Sequence, residues 1–213
     1  MMHLVMGGTF DPIHNGHLRM AVELCEWLEA GQLHLMPCHQ PPHRDDPGAA
    51  PEQRLAMLRA AVEGESELVV DDRELRRGAT SYPADTLRQL RGELGDTVPL
   101  VLVVGTDAFN GFDSWREWMK IPQLAHIIIV KRPGYELSPE SGAARLLAER
   151  RAESAAELHS VPAGRIMPVS LSLLAISATD IRRRLEQGRS VRYLVPDAVH
   201  SLIRNESLYQ QGF

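Results

Sequence analysis

Several things this chain of 213 residues has little of narrow what it can be. It has two cysteines, Cys25 and Cys38, and they form no CxxC pair. Reduced thiols in a cytoplasmic protein are the simplest reading. No apolar run approaches the ~18 residues that a membrane span needs. The opening Met1-Met2-His3 has neither the basic region nor the long apolar stretch of a secretory signal. Positive charge is not in excess: a formal net charge of −5 argues against a general nucleic-acid surface, which needs a basic face. An acidic chain can still bind anionic nucleotides if its arginines are focused in a cleft. Arg182-Arg183-Arg184, Arg132 and Arg44 are the candidates, and most other arginines read as solvated surface. No repeat or linker interrupts residues 1–213, which read as a single domain whose residues 177–213 form a helical C-terminal part.

What is present is most informative at the start. Leu4-Val5-Met6 reads as a buried strand that runs through Gly7-Gly8-Thr9-Phe10-Asp11-Pro12 into a helix beginning near His17. A helix start offers unpaired N–H groups and partial positive charge, a natural seat for phosphate. Gly7 and Gly8 carry no side chain to keep a ligand from the backbone. His14 and His17, three apart, fall on one face and add donors suited to phosphoryl oxygens. Such a pair could also hold zinc, but the usual spacings and a third ligand are missing.

A second constellation lies near the end. Ser177 is a good N-cap, with Asp180 as a variant capping box and Ile176 and Ile181 at the staple positions. Thr179 and Arg182 share a face of the helix that follows. A cation so near a helix N-terminus opposes the macrodipole, so Arg182 calls for an anion. Arg183 and Arg184 read as a solvated basic run.

Between these ends, strands alternate with helices. Strands are expected at 33–36, 68–70, 100–104, 127–130 and 166–169. Helices are expected at 17–30 (stopped by Gly31), around 55–62, from Pro83 to about 94, over 143–158, and as two or three short pieces after Ser177. Residues 37–51 hold five prolines and no periodicity, and read as a functional loop that is mobile without ligand. This alternation implies an α/β fold with a doubly wound parallel sheet that binds ligands at the carboxyl ends of its strands. Gly105-Thr106-Asp107 follows the most apolar strand; a carboxylate there can accept hydrogen bonds from ribose hydroxyls, or simply cap a helix. Trp115 and Trp118 lie in a polar neighbourhood, and one of them is expected in the core.

Gly8-Thr9-Phe10-Asp11-Pro12 followed by His14-Asn15-Gly16-His17 resembles the T/HxGH signature of the adenylyl- and cytidylyltransferases. Ile176-Ser177-Ala178-Thr179-Asp180-Ile181-Arg182 is close to ISSTxIR, the second half of that signature. Pro41-Pro42-His43-Arg44, Ser81-Tyr82, Thr86-Leu87, Gly105-Thr106-Asp107, Trp115 and Arg132-Pro133-Gly134 are similar, in the same order, to stretches of the bacterial nicotinate-mononucleotide adenylyltransferases.

The resemblance implies a Rossmann-like fold and transfer of AMP from ATP, with Mg²⁺, to nicotinate mononucleotide. The products would be deamido-NAD and pyrophosphate. It assigns ATP binding to Gly8, Thr9, Phe10, His14, His17, Gly105, Asp107, Arg132, Ser177, Thr179 and Arg182, with His14, His17 and Arg182 as the catalytic groups on the triphosphate. It assigns the mononucleotide to His43 and Arg44 at its phosphate and to Tyr82, Ala84, Thr86 and Trp115 at its pyridine ring, which Trp115 stacks against. Pro83 departs from relatives that carry threonine there, and proline has no N–H. The free N–H groups of Ala84, Asp85 and Thr86 are expected to meet the nicotinate carboxylate instead. No all-protein metal cage is expected, because Mg²⁺ sits on phosphate oxygens and water. Alternatives are a related adenylyltransferase acting on nicotinamide mononucleotide or phosphopantetheine, and a nucleotide-binding regulator without catalysis.

Overall fold

The computed structural model describes residues 1–40, 47–132, 134 and 137–210. The expected mobility and ligand contacts of His43 and Arg44 therefore lie outside the described residues.

Six strands form one parallel sheet in the order β3-β2-β1-β4-β5-β6: β1 (His3–Gly8), β2 (Gln32–Pro37), β3 (Leu68–Val70), β4 (Leu100–Gly105), β5 (His126–Val130) and β6 (Ile166–Val169). Each is a short apolar run, as strands covered on both faces must be. The alternation of side chains divides the core in two. Leu4, Met6, Val101, Val103, Ile128 and Val130 pack on one face, while Val5, Leu100, Leu102, Val104, Ile127 and Ile129 pack on the other.

The first face is covered by α1 (Asn15–Leu28), α2 (Pro51–Ala61), α8 (Ala155–Ser160), α9 (Ala178–Glu186) and α10 (Asp197–Asn205). The second is covered by α4 (Pro83–Leu94), α6 (Ile121–Leu124) and α7 (Gly142–Arg150). The short helices α3 (Arg73–Arg77) and α5 (Thr106–Phe109) follow β3 and β4. Strand order reverses between β1 and β4, which opens the crevice for ligands that such a sheet provides.

Four elements differ from expectation. The loop expected over 37–51 gives up Pro37 to β2 and Pro51 to α2. Helix α1 begins at Asn15 and ends at Glu29 in the left-handed region (φ 46°), where the Ala30 N–H donates to Cys25 O at 3.0 Å. Gly31 is not the stop; a side chain there would run into Met1. The expected helix over 143–158 is two, because the Ala152 N–H is drawn to Ile166 O (2.9 Å) at the sheet edge. Polar Arg73–Arg77 forms α3, which hydrophobic periodicity did not reveal.

Candidate active site at the strand-order switch

His14 stands outside the helix as its N-cap, extended at φ −147°, and its Nδ1 accepts the His17 N–H at 3.3 Å. The pair therefore meets for a reason other than helical spacing. Its rings stack with centroids 3.7 Å apart. Gly16 leaves room beneath them: a Cβ there would lie 3.0 Å from His14 Nδ1 and press on the ring. Phe10, only 3 % exposed, packs edge-on to His17 at 5.2 Å and covers Gly8, so its side chain is a floor of the site.

The expected open helix start is largely closed. Asn15 N–H donates to Leu194 O and His17 N–H is taken by His14. Among the described residues the Gly16 N–H is left without a hydrogen bond, and the imidazoles add donors beside it. Burial, then the nearby Arg132 cation, lowers the His14 pKa to about 4. Burial, then His14 and Arg132, holds His17 well below its ordinary value. Both rings are neutral at pH 7. With Nδ1 of His14 accepting, its proton sits on Nε2, which is a donor. The His17 Nδ1 is buried and has no hydrogen-bond partner among the described residues.

Across the switch, Arg132 pairs with Asp107 at 3.2 Å. Asp107 is not the helix cap; Gly105 holds that position. A Cβ at Gly105 would strike Asp107 and come within 2.9 Å of Arg132 Nε, so this glycine makes room for the pair. Asp107 Oδ1 is buried without a hydrogen-bond partner among the described residues. Beside it a cavity of about 750 Å³ opens at the ends of β5 and β6, lined among others by Thr106, Ile129, Lys131, Arg132, Pro168 and Leu171.

A second group of residues assembles beyond the end of β2. His39 N–H donates to Ser81 Oγ (3.1 Å) and Ser81 N–H to Gln40 O (3.3 Å), which brings Tyr82 alongside. Arg116, next to the half-buried Trp115, lies 4.8 Å over the Tyr82 ring. Trp115 and Trp118 are both half-buried against Phe112. The N–H groups of Asp85 and Thr86 are not free, since both donate to Tyr82 O; no bond from Ala84 N–H is found among the described residues. Thr86 is buried and its hydroxyl donates to Glu74 at 2.6 Å.

At α9, Ser177 Oγ accepts the Asp180 N–H at 3.2 Å, as expected of the cap. The capping box is not closed, because the Asp180 carboxylate binds Arg183 instead. Thr179 lies in the first turn. Arg182 Nη1 donates to Asp11 O at 2.7 Å and lies 3.6 Å from Asp11 Oδ2. The anion its position demanded is thus partly supplied by the protein. Among the described residues no cluster of three His, Cys, Asp or Glu side chains could hold a metal ion.

The cytidylyltransferase-like family pattern matches residues 5–184. The chain is 59 % identical, over 98 % of its length and 96 % of the relative's, to a probable nicotinate-nucleotide adenylyltransferase of Marinobacter nauticus. It is 46 % identical, over 96 % and 98 %, to one of Methylococcus capsulatus. The chain belongs to the nicotinate-nucleotide adenylyltransferase family. Its fold is also that of the Plasmodium falciparum nicotinic acid mononucleotide adenylyltransferase solved with NaAD (TM-score 0.73, 16 % identity, 98 % of both chains), a likeness of fold alone.

Sequence reasoning left out two residues that hold this adenylyltransferase family site together, Arg54 and Asp11, and a third, Arg91, that ties the amino ends of the strands on the far side of the sheet. Arg54 is fully buried and donates to Thr9 O (2.8 Å), Cys38 O (2.9 Å) and His39 O (3.3 Å), tying the ends of β1 and β2 together. Arg91 similarly donates to Leu124 O and Val98 O at 2.6 Å. Neither is a solvated arginine. Asp11, 3 % exposed, accepts from Gly48 N–H (2.8 Å), Ala49 N–H (3.1 Å) and Tyr209 OH (2.6 Å). The only local hint was that Asp11 belongs to a motif.

Proposed function

We propose that this chain joins MgATP and nicotinate mononucleotide in one cytoplasmic domain, giving deamido-NAD and pyrophosphate for NAD synthesis. The observation that carries the reading is the His14–His17 pair, stacked at the strand-order switch with the Arg132 cation close enough to lower both pKa values. A neutral imidazole keeps one N–H that can donate to a phosphate oxygen while its other nitrogen accepts.

The mononucleotide's phosphate oxygen attacks the α-phosphorus of ATP in line, and the bond to pyrophosphate breaks. A phosphate monoester has a second pKa near ~6, so the nucleophile is already ionised and needs no general base. The protein's work is alignment and charge stabilisation. His14, His17 and Arg182 hold the triphosphate and the charge growing on the leaving group. Asp107 accepts from the ribose hydroxyls, and Gly105, Arg132 and the cavity beside them receive the nucleoside. Gly8 and Thr9 line the approach, and Ser177 and Thr179 shape the first turn of α9. The divalent ion arrives on the ATP phosphates as part of the substrate and neutralises their charge.

Trp115 stacks on the pyridinium, Tyr82 borders it, and Ala84 N–H meets the carboxylate beside buried Thr86. His43 and Arg44 serve the mononucleotide phosphate. MgATP is supplied with nicotinate mononucleotide, nicotinamide mononucleotide or phosphopantetheine, and the product is identified by mass. Deamido-NAD forms with the highest kcat/KM if the reading holds. Equal values for acid and amide remove the acid specificity, and no pyrophosphate with any acceptor removes the enzymatic reading.

A further inference from the structure

We propose that Tyr209, near the C-terminus, is a positioning residue that sets Arg182 through Asp11. The proposal rests on the role given above to Arg182. Among the described residues the Arg182 guanidinium is anchored to residue 11 alone, at two points, the carbonyl oxygen at 2.7 Å and carboxylate Oδ2 at 3.6 Å, both from Nη1. Where residue 11 goes, the guanidinium follows. Anchoring Nη1 leaves the other N–H groups of the fork, on a side chain 31 % exposed, for an incoming phosphate.

Residue 11 is in turn held by its carboxylate. Gly48 N–H reaches Oδ2, whereas Ala49 N–H and Tyr209 OH reach Oδ1, the hydroxyl being the nearest of the three at 2.6 Å. Burial and the Asp11 charge keep the Tyr209 phenol far above its ordinary pKa, so it remains a donor. The chain bends to deliver it. Ser207 and Tyr209 both sit in the left-handed region, φ 51° and 59°, which L residues other than glycine seldom adopt. The Tyr209 ring covers Gly48, where a Cβ would lie 3.3 Å from it. Helix α10, which carries the tail, is fastened to α2 by Gln53 Nε2 donating to Glu206 at 2.9 Å. The strained tail thus ends on a single buried carboxylate that also steers a phosphate-directed cation.

A clasp that served stability alone would lower the melting temperature and leave ATP kinetics untouched. Tyr209→Phe, Arg182→Ala and the double variant are compared for kcat and for both KM values. Residues in one hydrogen-bonded network couple, and Tyr209→Phe is expected to lower kcat/KM for ATP about tenfold with KM for the mononucleotide changed less than about twofold. In the Arg182→Ala background the same change has an effect below about twofold. Unchanged ATP kinetics, equal changes in both KM values, or the same factor in both backgrounds overturns the proposal. Should Tyr209→Phe not fold, Asp11→Asn, which keeps the backbone carbonyl, goes through the same cycle under the same criteria. Arg182→Ala alone with wild-type kinetics would instead remove Arg182 from the proposed function, a result distinct from failure of the coupling.

Discussion

The starts of α1 and α9 lie side by side, a Cβ on Gly16 being 3.5 Å from Ile176, and both carry motif residues, but they divide the work differently. At α1 one residue does two jobs: His14 caps the helix through Nδ1 and stacks its ring on His17. At α9 the jobs are separate: Ser177 caps, and Arg182, on the following turn, reaches away to Asp11. The difference follows from charge. A neutral imidazole can accept the helix's own N–H and still offer a proton to a phosphate on its other nitrogen. A guanidinium has no acceptor, so it cannot cap, and it opposes the macrodipole unless an anion compensates it. Structure and function are therefore entangled at α1 and separable at α9.

The sharpest way to break this comparison is at α1. His17→Ala should cut kcat by about 10²–10³ while the fold stays intact, because a preorganised donor is lost but the cap is not. His14→Asn should match that loss in steady-state assays yet melt near the wild-type temperature, because asparagine is among the best N-caps. His14→Ala should lose the cap as well. A His14→Asn protein with normal turnover would refute the dual role.

Arg182→Ala comes next. The macrodipole taken by itself makes removal of a cation from a helix start slightly stabilising for the empty protein. The structure reverses the sign, because Arg182 is paired with buried Asp11. The variant should lose about 1.5–3 kcal/mol in denaturant melts without ligand, the range for a hydrogen bond to a charged group, and should raise KM for ATP. A more stable variant would restore the simpler dipole argument.

Titration should separate the two helix starts again. A histidine whose folded pKa is depressed gives stability that is present above its unfolded pKa and lost as pH falls. The window for His14 runs from 6.5 down to about 4. Thermal melts should fall across it, by at most about 3 kcal/mol for this group, with His17 acting in the same direction. His14→Asn should flatten the curve; an equally steep curve would place the titrating groups elsewhere. The smallest effect belongs to Ser177→Ala, which should cost about 1 kcal/mol as an ordinary cap. A cost several times larger would show that this cap, too, is entangled with the site.

The local elements were legible because their causes are local. Pro83 starts α4 at the position named, and Ser177 caps α9. The apolar runs at 100–104 and 127–130 are central strands of a parallel sheet, because only strands buried on both faces can be uniformly apolar. The motif residues His14, His17, Asp107, Arg132 and Arg182 could be named because their chemistry suits phosphate and ribose.

Their arrangement could not be read in this way. Arg54 looks like any surface arginine until carbonyls from the ends of β1 and β2 converge on it. Neutral histidines require the burial and the Arg132 charge that only packing supplies. Asp11 and Tyr209 meet across 198 positions of sequence. A capping side chain or an apolar run is satisfied by neighbours along the chain, and so it is written in the sequence. A buried charge is satisfied by whatever the fold brings to it, and so the partners of Asp11, Arg54 and Arg182 were decided by the tertiary structure alone.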